Sequence, residues 1–119
     1  SGYCFDEDKD VVWLEGTAQM AVAHKISGNE FFANELIAEL EKSFINSATL
    51  PDSKGIPYTS NHGSSYGTNL LWDHADLTST LSATAWYIFA KTGVNPLAIG
   101  KQKQIPILES FWITEKTTD

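Results

Sequence analysis

Glu15 is the carboxylate whose neighbours in the sequence best suit chemistry. It lies between Trp13 and Gly16 in a stretch of apolar and small residues, and Gln19 follows one helical turn later on the same face. Apolar surroundings favour the protonated form of a carboxyl group, which can then act as a general acid. Glu15 is therefore a candidate catalytic residue. The alternative is structural: Glu15 would accept hydrogen bonds from backbone N–H groups of a long loop and brace that loop.

A second group of polar side chains occupies residues 72–76. Asp73, His74 and Asp76 lie directly before a predicted helix. Glycoside hydrolysis requires two carboxyl groups across the scissile bond, about 5 Å or about 6.5–9.5 Å apart according to the mechanism. Glu15 with Asp73 or Asp76 would supply this pair if the loop folds over the first helix. In the alternative, Asp76 caps the helix and Asp73 is solvated.

Aromatic side chains in the same loop suit a sugar ligand, because flat rings can stack on pyranose faces while neighbouring polar groups bind hydroxyls. Alternatively, these rings pack the loop against the helices, and burial in the core is what we expect of Trp86 and Trp112. The candidate substrate-binding residues are Trp13, Gln19, Tyr58, His62, Tyr66, Trp72 and His74, and Asn61 and Ser64 could add hydrogen bonds.

Asp6, Asp8 and Asp10 have the alternating spacing of a calcium loop. The EF-hand pattern nevertheless fails, since Val11 replaces the required glycine and Thr17 the required glutamate. The histidines lack zinc-binding spacing, and no P-loop, dinucleotide-binding or nucleophile-elbow pattern occurs. We therefore predict no metal site and no cofactor, although a looser cation site at the three aspartates stays open.

The composition indicates one acidic globular domain. The chain has 119 residues, of which 42% are hydrophobic and 12% aromatic, enough for one modest core. The formal net charge is −7 and no basic cluster occurs, so nucleic acid is not an expected partner. No apolar run approaches the roughly 18 residues of a membrane helix, so we predict no membrane insertion. The single cysteine, Cys4, can form no internal disulfide.

Hydrophobic periodicity predicts three helices: residues 11–26, a second helix ending near residue 45, and residues 77–92. The first two would form an antiparallel hairpin. Residues 47–76 lack a helical period, and a loop of that length is usually functional or disordered. The predicted fold class is all-α: antiparallel helical hairpins with a long aromatic-rich loop.

The ends and buried faces of these helices are predicted from residue types. The predicted N-caps are Asp10, then Ser27 with Glu30 as a capping box, then Asp76 or Thr78, and the predicted stops are Gly28 and Gly93. The predicted buried stripes are Ala33, Leu36, Ile37, Leu40 and Phe44 on the second helix, and Leu77, Leu81, Ala85, Ile88 and Phe89 on the third.

Residues 13–20 (WLEGTAQM), 55–58 (GIPY) and 82–90 (SATAWYIFA, continuing to Asn95 and Pro96) carry a family resemblance. Together they resemble the carboxy-terminal part of bacterial proteins with an α/α-toroid, similar to six-hairpin glycosidases. The resemblance implies helical hairpins packed around a central axis, with a sugar cleft formed by loops at one mouth. A full toroid needs many more helices than this chain offers. Residues 1–119 are therefore expected to be one helical domain of a larger chain, or a subunit of a homo-oligomer.

Three functional hypotheses follow. The chain is a carbohydrate-active α/α-toroid domain, hydrolase- or lyase-like, with loop aromatics holding the sugar and Glu15 working with Asp73 or Asp76. Alternatively, it is a non-catalytic carbohydrate-binding module, or a structural or interaction domain of a larger bacterial envelope protein. The sequence leaves the compartment open, with the periplasm and the extracellular space as the candidates that the resemblance suggests.

Overall fold

The computed structural model describes residues 1–4, 11–61 and 77–98, which form three helices and one small sheet. α1 spans Leu14–Ile26, α2 spans Glu30–Glu41 and α3 spans Leu81–Thr92. β1 (Ile45–Asn46) pairs antiparallel with β2 (Lys54–Gly55). The prediction of a helical fold is confirmed for this part of the chain, and the sheet is an addition to the predicted all-α class. No helix in the described ranges is long and apolar enough to cross a membrane.

α1 begins three residues later than predicted, because the chain before it is extended and paired. Trp13 is the N-cap, in an extended conformation. Its backbone N–H donates to the Tyr3 carbonyl at 2.8 Å, and Trp13 forms an isolated bridge with Thr59. The prediction that Asp10 caps this helix is therefore wrong; Asp10 itself lies outside the described residues.

The turn between α1 and α2 differs from the predicted capping box. Gly28 ends the first helix with a φ of +79°, as its conformational freedom predicts. Ser27, however, is the C-cap of α1, and its hydroxyl donates to the His24 carbonyl at 3.0 Å. Asn29 is the N-cap of α2. Because the chain is committed to the sheet from Ile45 onward, α2 is shorter than predicted.

α3 begins at a different cap and buries a different face from those predicted. Thr80 is its N-cap, and the Thr80 hydroxyl accepts a hydrogen bond from the Ala83 N–H at 3.3 Å; neither Asp76, outside the described residues, nor Thr78 caps it. Gly93 ends the helix in the left-handed conformation, as predicted. Leu81 is 87% exposed and Ile88 is 49% exposed, so the predicted buried stripe is wrong at these positions, whereas Phe89 packs against the core as predicted.

Small residues explain why α3 presents its other face to the core. Ala83 and Ala90, two helical turns apart, are completely buried, and alanine lets neighbouring helices approach closely. Two clusters of buried side chains result. One contains Leu14, Ala18, Leu40, Ile56 and Ala83, and the other contains Ala21, Val22, Ile37 and Ala90; Trp86 and Tyr87 pack against both. The predicted stripe of α2 is confirmed for Ala33, Ile37 and Leu40, which are buried, while Phe44 packs on the core from beyond the end of the helix.

Residues 56–60, which we call the crossing segment, connect the first turns of α1 and α3. The Ile56 carbonyl accepts from the Thr80 N–H at 3.0 Å, and the Tyr58 carbonyl accepts from the Leu14 N–H at 3.1 Å. The Ser60 N–H donates to the Val12 carbonyl at 3.1 Å. The crossing segment therefore holds the N-terminal ends of α1 and α3 side by side.

α1 and α3 also begin with the same local structure. Their first five residues are LEGTA (14–18) and LSATA (81–85). In each helix the threonine hydroxyl donates to the carbonyl of the N-cap, from Thr17 to Trp13 at 2.8 Å and from Thr84 to Thr80 at 2.7 Å. Each threonine also accepts a backbone N–H from an extended segment, Tyr3 for Thr17 and Ile56 for Thr84. α1 and α3 are thus structurally equivalent helices, with α2 between them in sequence.

Candidate functional site

Three polar side chains meet where α1 and α3 begin, and we call them the polar cluster: Glu15, Gln19 and Ser82. The Ser82 hydroxyl donates to Glu15 Oε2 at 2.9 Å, and Gln19 Nε2 donates to Glu15 Oε1 at 3.2 Å. Each carboxylate oxygen of Glu15 therefore accepts a hydrogen bond from a helical side chain. The loop-bracing alternative predicted backbone donors instead, so it does not describe these two contacts.

Two aromatic residues border the polar cluster. Trp13 and Tyr58 are both half-buried, and the backbone hydrogen bonds of the crossing segment hold them beside the start of α1. Burial raises the pKa of the Tyr58 phenol, the negative charge of Glu15 raises it further, and a hydrogen bond with the Trp13 side chain lowers it. Tyr58 is therefore a neutral hydrogen-bond donor at physiological pH, close enough to Glu15 to respond to its charge.

The helix ends give the polar cluster a positive electrostatic environment. Glu15 is the second residue of α1 and Ser82 is the second residue of α3. The N-terminal end of a helix carries a partial positive charge, which a nearby carboxylate stabilises. Because α1 and α3 begin side by side, both ends act on Glu15. Glu15 therefore stabilises the start of both helices.

A cavity of about 220 Å³ lies along α1, α3 and the segment that follows α3. It is lined by Gln19, Ala23, Ile26, Trp86, Asn95 and Leu97, among others. Gln19 belongs to the polar cluster and also lines the cavity, so the two adjoin at this residue. Trp86 packs on the core, as predicted, but it is only half-buried and also lines the cavity.

Of the predicted site residues, the structure brings together Trp13, Glu15, Gln19 and Tyr58. The predicted catalytic partners Asp73 and Asp76 lie outside the described residues, as do His62, Tyr66, Trp72 and His74, so the carboxylate pair stays a prediction. Within the described ranges, no group of three or more His, Cys, Asp or Glu side chains could hold a metal ion.

Sequence reasoning missed Ser82 as a site residue, although a signal for it existed. LEGTA and LSATA align Glu15 with Ser82, 67 positions apart. Two helices that begin alike and pack side by side bring equivalent positions together. That alignment would have identified Ser82 as the neighbour of Glu15.

Comparison with known proteins gave no significant match. No protein-family model matches the chain, and neither a curated protein nor a solved structure matches it significantly.

Proposed function

We propose that this chain is a carbohydrate-active α/α-toroid domain whose sugar site lies between the first turns of α1 and α3. The observation that carries the proposal is the polar cluster around Glu15, with the half-buried rings of Trp13 and Tyr58 beside it. Saccharides combine flat apolar faces with rows of hydroxyl groups. A cleft with aromatic walls and a few convergent hydrogen-bonding groups suits such ligands.

The toroid part of the proposal is supported by the equivalence of α1 and α3. Stacked helical hairpins repeat one unit of two antiparallel helices, so corresponding helices of successive hairpins run in the same direction. α1 and α3 share their first-turn hydrogen bonds and their terminal glycines with positive φ. A larger ring would be completed by further sequence of the same protein or by other copies of the chain.

The proposed reaction class is glycoside hydrolysis or lyase-type elimination, with Glu15 as the acid or base and Asp73 or Asp76 as its partner. The non-catalytic alternative is carbohydrate binding alone, which uses the polar cluster and the rings beside it but needs no second carboxylate. An envelope-protein interaction domain stays as the third proposal.

A glycan screen with three proteins tests the proposal. Wild type, Glu15→Gln and the control Glu35→Gln, on the exposed face of α2, are incubated with a panel of oligosaccharides. Binding is followed by NMR shifts, and cleavage by the release of reducing ends. We expect at least one saccharide to bind wild type and Glu35→Gln, with binding about tenfold weaker in Glu15→Gln. Cleavage lost only in Glu15→Gln would support catalysis, and retained cleavage would exclude Glu15 as the acid or base.

A further inference from the structure

One face of α3 is apolar and exposed to solvent. Leu81 and Ile88 lie about two turns apart on this face and are 87% and 49% exposed. Ala85, between them, is half-buried. We call these three residues the α3 face. Single exposed apolar residues are common on protein surfaces, but an aligned row along a helix indicates a surface that another element covers.

The equivalent face of α1 is buried. When LEGTA (14–18) is aligned with LSATA (81–85), the α3 face corresponds to Leu14, Ala18 and Ala21. These three residues are 3%, 0% and 0% exposed. α1 and α3 therefore carry the same apolar row, which is covered in α1 and exposed in α3.

α2, the helix that follows α1 in the sequence, supplies much of the cover on α1. Leu40 of α2 belongs to the same buried cluster as Leu14 and Ala18. Ile37 of α2 belongs to the same cluster as Ala21, and α3 contributes one alanine to each cluster. Because the start of α1 shares a cluster with the end of α2, α2 runs antiparallel to α1 along this face.

The sequence after α3 contains a segment with the apolar spacing of α2. The core-facing residues of α2 include a set at positions i, i+3 and i+7: Ala33, Leu36 and Leu40. Residues 105–113 (IPILESFWI) repeat this spacing with Ile105, Leu108 and Trp112. The repeated spacing predicts a helix that can bury one apolar side, as α2 does.

The other residues of this segment are compatible with such a helix. Pro106 is tolerated at the first position of a helix, where its missing N–H is not needed for an intrahelical bond. Glu109 and Ser110 lie off the apolar row. Residues 93–104 would connect this helix to α3, a longer link than the turn at residues 27–29 between α1 and α2. The chain is therefore long enough for the segment to fold back along α3.

We infer that residues 105–113 form a fourth helix that packs antiparallel on the α3 face, as α2 packs on α1. In this arrangement Trp112 lies against Leu81 at the start of α3, and Leu108 lies nearer to Ile88. The α3 face is thus a docking surface for a segment of the same chain. The inference rests on the helical-hairpin part of the proposed function and is independent of any saccharide.

NMR of the whole 119-residue chain tests the predicted contact directly. We expect nuclear Overhauser contacts between the Leu81 methyl groups and the Trp112 indole ring, with Trp112→Leu to identify the indole signals. An isotope-filtered spectrum of mixed labelled and unlabelled protein separates contacts within one chain from contacts between copies. Contacts seen only between copies would make a second copy the occupant. Contacts of Trp112 with Ile26 or Val94 instead would place it at the far ends of the helices. Either result would overturn the inference.

Denaturation of substituted chains provides a second test. Leu81→Ser should lower the midpoint of thermal unfolding by several degrees if Trp112 covers Leu81, and its effect should be smaller when Trp112→Ala is already present, because the two share one contact. Leu50→Ser is the matched control, at a leucine that is 62% exposed outside α3. It should leave the midpoint near that of wild type. Additive effects of Leu81→Ser and Trp112→Ala would contradict the contact.

The outcomes distinguish this inference from the proposed function. If the Leu81–Trp112 contact is absent and Leu81→Ser behaves like Leu50→Ser, the inference is overturned, whereas saccharide binding is decided by the comparison of wild type with Glu15→Gln. If no glycan binds but the contact is present, the proposed function fails and the docking of residues 105–113 on α3 stands.

Discussion

The Ser82 hydroxyl donates to Glu15 Oε2 at 2.9 Å, across 67 positions of sequence. Both residues occupy the second position of their helices, so the contact joins equivalent positions of α1 and α3. Two helices that begin side by side bring their positive ends together, and these ends repel each other. A carboxylate between them offsets that repulsion. The fold alone therefore explains a carboxylate at position 15, independently of any ligand.

Removal of the charge at Glu15 should cost stability as well as ligand binding. We expect Glu15→Gln to lower the free energy of unfolding by about 0.5–1 kcal/mol, because a carboxylate near a helix N-terminus contributes that much. The loss should shrink as salt is added, since salt screens the interaction. Chemical denaturation at low and high ionic strength measures it. An equal loss in Glu35→Gln, away from both helix starts, would contradict this explanation.

The Tyr58 phenol should report the charge of Glu15. Burial and that charge raise the Tyr58 pKa above its ordinary 10.0, so in Glu15→Gln the pKa should fall while burial keeps it above 10.0. A raised pKa means that the contribution of Tyr58 to stability is present below pH 10 and is lost as the pH rises through the folded-state pKa. The phenolate absorbance, with Tyr58→Phe to identify the signal, measures the shift. An unchanged Tyr58 pKa in Glu15→Gln would show that the two groups are not coupled.

The attachment of the crossing segment to α3, and with it the stability of the fold, should depend on the Thr84 hydroxyl. Thr84 Oγ1 accepts from the Ile56 N–H at 3.0 Å, and Ile56 is completely buried. Thr84→Val keeps the shape but leaves that N–H without its acceptor, at a cost of about 1–3 kcal/mol. The equivalent change Thr17→Val should cost less, because its partner Tyr3 is exposed. Thermal and chemical denaturation of the two variants test this order, and a larger loss for Thr17→Val would reverse it.

The sequence patterns predicted the helices well, since their terminal signals are local. Gly28 and Gly93 adopt the positive φ that their positions after each helix predicted. The start of each helix was less predictable because it depends on long-range pairing. Val12 pairs with Ser60 and Thr80 with Ile56, contacts that no local pattern indicates.

The buried face of α3 was mispredicted because hydrophobic periodicity favours large apolar residues over the small ones that fit between closely packed helices. Leu81 and Ile88 are large and apolar yet exposed, while Ala83 and Ala90 are completely buried. Close approach of helices selects small side chains, which hydrophobic periodicity counts as weak signals. At the site, Trp13, Glu15 and Gln19 could be grouped from sequence because they share one stretch of chain. Ser82 could be added to this group only from the relation between α1 and α3, which no single stretch of the sequence contains.

The ion pair between α2 and α3 should make stability sensitive to acid. Lys91 Nζ donates to Glu41 Oε1 at 2.6 Å, and the Tyr87 hydroxyl donates to the same oxygen at 3.0 Å. The hydrogen bonds from Lys91 and then Tyr87 lower the Glu41 pKa from 4.5. The contribution of the pair is therefore present above pH 4.5 and is lost as the pH falls through the lowered pKa.

Lys91→Gln should accordingly be less stable than wild type at neutral pH, with a difference that disappears in acid. Lys54→Gln, at an exposed lysine on β2, is the matched control and should show no such change with pH. Denaturation curves from neutral to strongly acidic pH measure the difference. A deficit of Lys91→Gln that persists after Glu41 is protonated would exclude the ion pair as its cause.

A substitution of Gly16 should act by displacing the Trp13 ring rather than by weakening α1. A Cβ atom at this buried position would lie 2.2 Å from Trp13 Cε3, so the indole must leave its present position. Alanine is the better helix former by about 1 kcal/mol, which preserves α1. Gly16→Ala should therefore keep its helical circular dichroism, change its near-ultraviolet signal and bind saccharide at least tenfold more weakly.

Gly28→Ala is the contrasting control for this change. Gly28 has a φ of +79°, and an added Cβ would meet no atom within 4 Å. A left-handed alanine costs about 1–2 kcal/mol, so this variant should lose stability while its ligand affinity stays that of wild type. The pair separates two effects that one variant would confound, since only Gly16→Ala displaces the Trp13 ring. Equal affinity of Gly16→Ala and wild type for the saccharide would remove Trp13 from the binding site.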